Sequence, residues 1–114
     1  MSQDCLFCKI AQGIIPANKL HEDDDVVAFW DISPQAPKHF LVIPKRHIAG
    51  PAAVDIGTEA LVGRMIRVAG ELAAECGIGG GYRLVMNNGA EAGQTVFHLH
   101  LHVLGGRPMG WPPG

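Results

Sequence analysis

With 114 residues, 47% of them hydrophobic, and a formal net charge of -2, the chain can build one domain with a modest core, in the size range where a second copy often supplies missing burial. Its nine lysines and arginines are scattered and offer no basic field for polymeric DNA or RNA, and no run approaches the roughly 18 apolar residues of a membrane span. Three cysteines, behind a start that lacks a basic and then apolar leader, argue against a disulfide framework and make the cytoplasm the default address.

In chain order, Asp4 is placed to cap a short helix running to about Gln12, with Gly13 suited to end it. Asn18 to Glu22 and Val26 to Trp30 read as strands around Asp23-Asp24-Asp25, a polar hairpin turn whose carboxylates are solvated. A proline-punctuated loop, Asp31 to Lys38, leads to the strand His39 to Ile43 and then Pro44, and the continuous apolar run marks a central strand. Thr58 opens one long helix to about Cys76, with Leu61, Met65, Val68 and Leu72 at helical spacing, Val62, Ile66 and Ala69 widening the stripe, and Gly77 as the stop. Cys76 reads as a small buried apolar residue. Gly79 to Gly81 turns into the strand Tyr82 to Met86, closed by Asn87-Asn88-Gly89. Phe97 to Leu104 is the last strand, ended by Gly105-Gly106, and Arg107 to Gly114 is a proline-rich tail. The order predicts an α+β fold on an antiparallel sheet.

That last strand carries the chemistry. Successive side chains of a strand point to opposite faces, so His98, His100 and His102 share one face while Leu99, Leu101 and Val103 take the other. A single ion held by all three is disfavoured, because the backbones of the outer two lie roughly 13 Å apart at ~3.4 Å per residue. Division of labour fits better: a central ring aimed at substrate, with neighbours in separate roles. A neutral imidazole is a competent nucleophile at pH 7, and an adjacent one can carry a proton to the leaving group. Gly93-Gln94-Thr95, directly upstream, can turn donors toward an anion such as phosphate. Cys5 and Cys8 form a C-x-x-C pair with no strand before it, which disfavours a thioredoxin-like redox site. Two such thiolates are half of a structural zinc site, and His47 and His98 are possible completing ligands.

The row His98-Leu-His-Leu-His-Val-Leu104 resembles the signature of the histidine triad (HIT) nucleotide-binding proteins. Asp31-Ile-Ser-Pro-Gln-Ala-Pro37, His39-Phe-Leu-Val-Ile-Pro-Lys-Arg-His47, Gly93-Gln-Thr-Val96 and Trp111-Pro-Pro-Gly114 are similar to its purine nucleoside phosphoramidase branch, and the likeness runs from about Asp4 to the last residue. The resemblance implies one domain over residues 1–114, with 105–114 as a tail. It implies a five-stranded antiparallel sheet with one long and one short helix, doubled into a ten-stranded sheet in a homodimer. It also implies hydrolysis of purine nucleoside 5′-phosphoramidates and aminoacyl-adenylate-like substrates to the nucleoside monophosphate, through a nucleotidyl intermediate on His100.

On the same resemblance His102 contacts the phosphate and assists the leaving group, and His98 and His47 support the site. Asn87, Gln94 and Thr95 hold phosphate oxygens, Asp31 accepts from the ribose hydroxyls, and Phe7, Ile10, Phe29 and Ile32 line the base slot. Trp111 reaches the partner subunit's site. Without the resemblance the four apolar residues read as core, Asp31 as a turn cap and Trp111 as a tail anchor. Catalysis needs no cofactor in this reading, and zinc at Cys5, Cys8, His47 and His98 is structural. His21 and His39 fall outside the matched positions and read as surface or structural. Asn88-Gly-Ala-Glu-Ala-Gly93 departs from the acidic, glycine-rich form of that loop. The intact third histidine favours a hydrolase over a transferase. Other readings are a nucleotide-binding regulatory partner with incidental turnover, a dinucleoside polyphosphate hydrolase and a zinc-dependent module.

Overall fold

The computed structural model describes residues 4–114, so the first three residues of the expected leaderless start lie outside it. Helix α1 (Leu6–Ala11) precedes strands β1 (Lys19–Glu22), β2 (Val26–Trp30) and β3 (Lys38–Pro44); the long helix α2 (Glu59–Glu75) precedes β4 (Tyr82–Val85) and β5 (Leu101–Gly105). The five strands form one antiparallel sheet in the order β1-β2-β3-β5-β4. Single 3-10 turns at Pro51–Ala53 and Ala90–Ala92 were not expected, since three residues carry no periodicity. Among the described residues no helix is long and apolar enough to cross a membrane.

Helices cover both faces of the sheet, which is why β2 and β3 are apolar throughout instead of alternating. On one face Val26, Ala28, Phe40, Val42, Leu101 and Val103 pack under Met65, Val68, Ala69, Leu72 and Ala73 of α2. On the other, Val27, Phe29, Leu41 and Ile43 pack under Phe7, Cys8, Ile10 and Ala11 of α1. The second face is where the polar chemistry collects: Leu41 pairs across the ladder with His102, so that ring emerges on the α1 side.

Helix α2 ends as its sequence indicates. Gly77 takes φ +85°, the Gly77 N–H donates to Ala74 O at 3.2 Å and the Ile78 N–H to Ala73 O at 2.9 Å, the reciprocal pair of a Schellman cap. Ile78 is thereby driven into the core against Gly105, where an added Cβ would lie 2.7 Å from Ile78 Cδ1. Cys76, expected buried, is half-buried.

Two local expectations are corrected, and Thr58 opens α2 as expected. Cys5, not Asp4, is the N-cap of α1, its Sγ accepting the Cys8 N–H at 3.3 Å. Thr58 caps α2 by position only, because its hydroxyl is engaged with Asp55 in the preceding turn. The Asp23-Asp24-Asp25 turn is not wholly solvated: Asp23 accepts from the Asp25 and Val26 N–H groups and faces His21 and Arg64, tying the hairpin to α2. These contacts hold the Asp23 carboxyl well below the usual carboxylate range, against the opposing effect of its partial burial.

Met65 is fully buried at the centre of the α2 face. Met65→Ala is expected to cost about 2–5 kcal/mol in urea unfolding, whereas Arg67→Ala, which removes only an exposed pair with Glu71, should cost roughly 0.5 kcal/mol or less.

Candidate functional site

The histidine strand is shorter than its alternation suggests. β5 begins at Leu101, so only His102 lies in the ladder, and residues 96–98 bend. The ladder with β3 stops at Val42–Leu101, and the chain before it is held by other means. The Leu99 N–H donates to Ile48 O at 2.6 Å, and His98 Nε2 donates to Pro44 O at 2.8 Å. Burial still alternates in outcome: Leu99 joins the α2 core while His98 and His100 face α1.

Each ring is tied through one nitrogen. A carbonyl can only accept, so the 2.8 Å contact between His100 Nδ1 and His98 O places the His100 hydrogen on Nδ1 and the lone pair on Nε2. Among the described residues that Nε2 has no hydrogen-bond partner, and it is not sealed from solvent. The ring is buried against Phe7 at 5.1 Å and beside His102 at 4.9 Å between centroids. A fixed imidazole with a free, correctly unprotonated nitrogen is the arrangement a histidine nucleophile requires.

The same reasoning applied to His98 leaves its Nδ1 lone pair facing Cys5 Sγ (3.3 Å), Cys8 Sγ (3.4 Å) and His47 Nδ1 (3.2 Å), with Cys8 Sγ also 3.3 Å from His47 Nδ1. Tetrahedral zinc, with bonds of about 2.3 Å to sulfur and 2.0–2.1 Å to nitrogen, separates its ligand nitrogens from one another and from the sulfurs by roughly 3.3–3.6 Å. These spacings fit such a centre, and the four groups can hold a metal ion. The carbonyl on the outer nitrogen of His98 is the usual device that orients a ligating imidazole. Burial pushes the His98 ring down to about 4, against the favourable bond to Pro44, and raises the Cys8 thiol to about 11, its contact with Cys5 adding to the rise. A bound cation reverses that penalty on the thiols. A cavity of about 480 Å³ bordered by Cys5, Leu6, His47, Thr95 and Phe97 gives access to the cluster.

Two expected site residues sit apart from that cluster and draw in a third that the sequence reading left aside. Asp31 closes β2, its Oδ1 accepting the Ser33 N–H at 2.7 Å, and its Oδ2 lies 3.5 Å from His39 Nε2. His39, read as surface or structural, is 4% exposed and contacts His102 Nδ1 through the same Nε2 at 2.9 Å. The signal was present in the strand parity, since His39 and Leu41 share a face and Leu41 lies opposite His102.

Residues 12–109 match the HIT domain family. The chain belongs to the HIT family. It is 54% identical to an uncharacterised HIT-like protein of Synechocystis sp. and 48% identical to one of Synechococcus elongatus, each over 114 residues and the full length of both chains. Among solved structures, a HIT family hydrolase from Legionella pneumophila superimposes with a TM-score of 0.95 at 52% identity, covering 97% of this chain and 100% of that one. A histidine triad protein from Clostridium difficile gives 0.92 at 40%, covering 96% of each.

The other residues expected at the site lie in different settings. Phe7, Ile10 and Phe29 are buried in one cluster, Phe7 meeting Phe29 edge-on at 5.6 Å, whereas Ile32 stands 99% exposed outside it. Thr95 is exposed and Asn87 half-buried. Gln94 is buried, and its amide is committed to backbone: Nε2 donates to Ala49 O (2.8 Å) and Val96 O (3.1 Å), and Oε1 accepts the Gly89 N–H (2.8 Å). In this geometry Gln94 organises the loop and does not offer its amide to a phosphate oxygen. Trp111 is 83% exposed on the tail, which Arg83 holds through Gly110 O at 2.9 Å.

Burial, with smaller contributions from His100 and His39 and against the pull of Asp31, lowers His102 from 6.5 to about 4. Between those values the unfolded chain binds more protons at this position than the folded one, so stability falls as pH drops through the window. Urea midpoints measured from pH 7 to pH 4 should decline less steeply for His102→Asn than for the parent chain. Equal slopes would show that the ring is not held neutral.

Proposed function

We propose that this HIT protein is a nucleotide hydrolase that cleaves purine nucleoside 5′-phosphoramidates and aminoacyl-adenylate-like substrates to the nucleoside monophosphate. The observation that carries the reading is the His100 Nδ1 contact to His98 O, which leaves Nε2 unprotonated and aimed away from the bond. In the reaction Nε2 of His100 attacks the α-phosphorus, the bond from phosphorus to the leaving nitrogen or oxygen breaks, and that group departs with the electron pair and takes up a proton. Water then attacks the nucleotidyl-histidine, releasing the monophosphate and restoring the neutral ring. The similar protein from Legionella pneumophila is a HIT family hydrolase, which supports the class.

His102 contacts the phosphate and the leaving group in this reading, and Thr95 and Asn87 approach the phosphate oxygens. The Asp31 carboxylate retains acceptor capacity for the ribose hydroxyls beyond its bond to Ser33. Phe7, Ile10 and Phe29 form an apolar floor for the base, and Ile32 is free to close over it. Homodimer formation through α2 and a sheet edge is supported by β4, an edge strand, and by the exposed apolar side chains Ile66 on α2, Leu84 on β4 and Trp111 on the tail.

Zinc is the ion we assign to Cys5, Cys8, His47 and His98, as a structural tie that does no chemistry on substrate. His98 connects the two functions: its ring belongs to the metal cluster and its carbonyl orients His100.

His100→Ala is expected to lower kcat/KM for an adenosine phosphoramidate by roughly 10³-fold or more and to abolish the nucleotidyl adduct seen by denaturing mass spectrometry. Undiminished turnover in this variant would refute the mechanism. Cobalt(II), titrated as a zinc probe, should give one tetrahedral thiolate-ligated ion per chain, and Cys8→Ser should weaken the sulfur charge-transfer band. A spectrum without that band would remove the metal from the reading.

A further inference from the structure

The β4 side of the sheet carries a charge imbalance that the histidine site does not use. A cavity of about 410 Å³ there is bordered by Gly81, Tyr82, Arg83, Arg107, Pro108 and Met109, with no carboxylate among them. By contrast, Arg64 pairs with Asp23 and Asp25, and Arg67 with Glu71. Among the described residues Arg83 and Arg107 meet only main-chain carbonyls, Arg83 that of Gly110 (2.9 Å) and Arg107 those of Pro108 (3.2 Å) and Gln35 (3.1 Å). Those bonds occupy one or two donors of each guanidinium, and the other N–H groups and both positive charges keep no protein partner there. A carboxylate, with two acceptor oxygens and a charge of opposite sign, matches what is left.

Strand register relates this pair to the triad. Val85 lies opposite His102 and Arg83 opposite Leu104, so Arg83 shares the His102 face of the sheet, whereas Tyr82 packs with Val103 on the α2 face. Arg83 and His102 are diagonal neighbours, a spacing of roughly 7–8 Å that a long side chain spans. His100, His102 and Leu104 follow one another in a single row, and Arg107 stands past the end of β5. Displacement at phosphorus sets the attacking and departing atoms roughly in line. With His100 attacking and His102 serving the departing group, that group leaves toward Leu104 and the two arginines. The tail, held by Arg83 at Gly110, borders the same end.

We propose that Arg83, together with Arg107, forms a leaving-group subsite for a carboxylate, so that the favoured substrates are phosphoramidates whose departing amine carries a free carboxylate, as an amino acid linked through its nitrogen does. The subsite separates the two kinds of substrate in the proposed function. An amino acid joined to phosphorus through nitrogen presents its carboxylate as an anion. One joined through its carboxyl group, as in an aminoacyl-adenylate, has lost that anion and carries an ammonium, which two guanidiniums repel. The proposal rests on the reading of the chain as a phosphoramidate hydrolase and adds the far end of the substrate to it.

The test compares two adenosine 5′-phosphoramidates, one of glycine with a free carboxylate and one of glycinamide, on the full chain and on Arg83→Gln and Arg83→Lys. Arg83→Gln is expected to lower kcat/KM for the glycine compound about 10- to 100-fold more than for the glycinamide compound, with Arg83→Lys between the two. A tail loosened by loss of the Gly110 contact would lower both compounds alike, so equal losses overturn the proposal. Binding is read separately by calorimetry in the His100→Ala background, where adding Arg83→Gln should raise the Kd of the glycine compound by a similar factor relative to the glycinamide one. An equal change for both compounds there also overturns it. If Arg83→Gln does not fold, Arg107→Gln taken through the same comparison decides the matter. A parent chain that cleaves neither compound refutes the hydrolase reading, and the calorimetric comparison still decides the subsite. Cleavage of both with no dependence on Arg83 removes the subsite and leaves the hydrolase reading standing.

Discussion

The site depends on one restriction: a backbone carbonyl only accepts and a backbone amide only donates. Three such groups are spent on imidazoles here, Pro44 O on His98, His98 O on His100 and the Gln35 N–H on His39. Each decides which ring nitrogen bears the hydrogen, and with it what the opposite nitrogen can do. His98 is left with a lone pair toward two thiols and His47, and His100 with a lone pair toward open space. His39 is left with a hydrogen for His102. Three similar side chains acquire different chemistry from main-chain geometry, and the fourth, His102, is met by the His39 side chain.

The sheet makes those main-chain groups available. Because α1 and α2 cover opposite faces, β3 can be apolar along its length and still deliver His39 at one end and the Pro44 carbonyl at the other. The β3–β5 ladder closes at Val42–Leu101. Past that point Pro44 O is free for a side chain, and the segment before Leu101 can bend while Leu99 remains anchored in the α2 core. A continuous strand would direct the His98 carbonyl across a ladder, where it could not reach the ring two residues on. The irregularity is the condition for orienting His100.

Features written in local pattern were legible beforehand. The α2 stripe, its glycine stop, the apolar runs of β2 and β3 and the shared face of the three histidines follow from side-chain periodicity, and the structure keeps them. The Cys5, Cys8, His47 and His98 grouping was also visible, since cysteine and histidine have few other reasons to converge. What stayed hidden involves side chains bonding to backbone across long separations. Gln94 looks like a phosphate donor by its place after Gly93, yet its amide is spent on Ala49, Val96 and Gly89. Cys5 displaces Asp4 as helix cap because a thiol can accept from the Cys8 N–H while remaining against His98. The contact of His39 with His102 is not legible, because its partner is 63 residues away in the chain.

The bonding pattern also decides between the two uses first considered for the histidine row. One ion held by all three rings would need three lone pairs converging on one point. His98 turns its lone pair to the cysteines, His100 commits Nδ1 to a carbonyl, and His102 commits Nδ1 to His39. Only His98 is arranged as a ligand would be, and it faces the Cys5, Cys8 and His47 cluster. The two rings that remain have Nε2 free of protein partners among the described residues, side by side at 4.9 Å between centroids. That spacing suits two groups acting on different atoms of one tetrahedral phosphate, one on phosphorus and one on oxygen. A row that looks like a chelate in sequence is, by its hydrogen bonds, a ring facing two thiols, a ring with a free Nε2 lone pair and a ring whose Nδ1 meets His39.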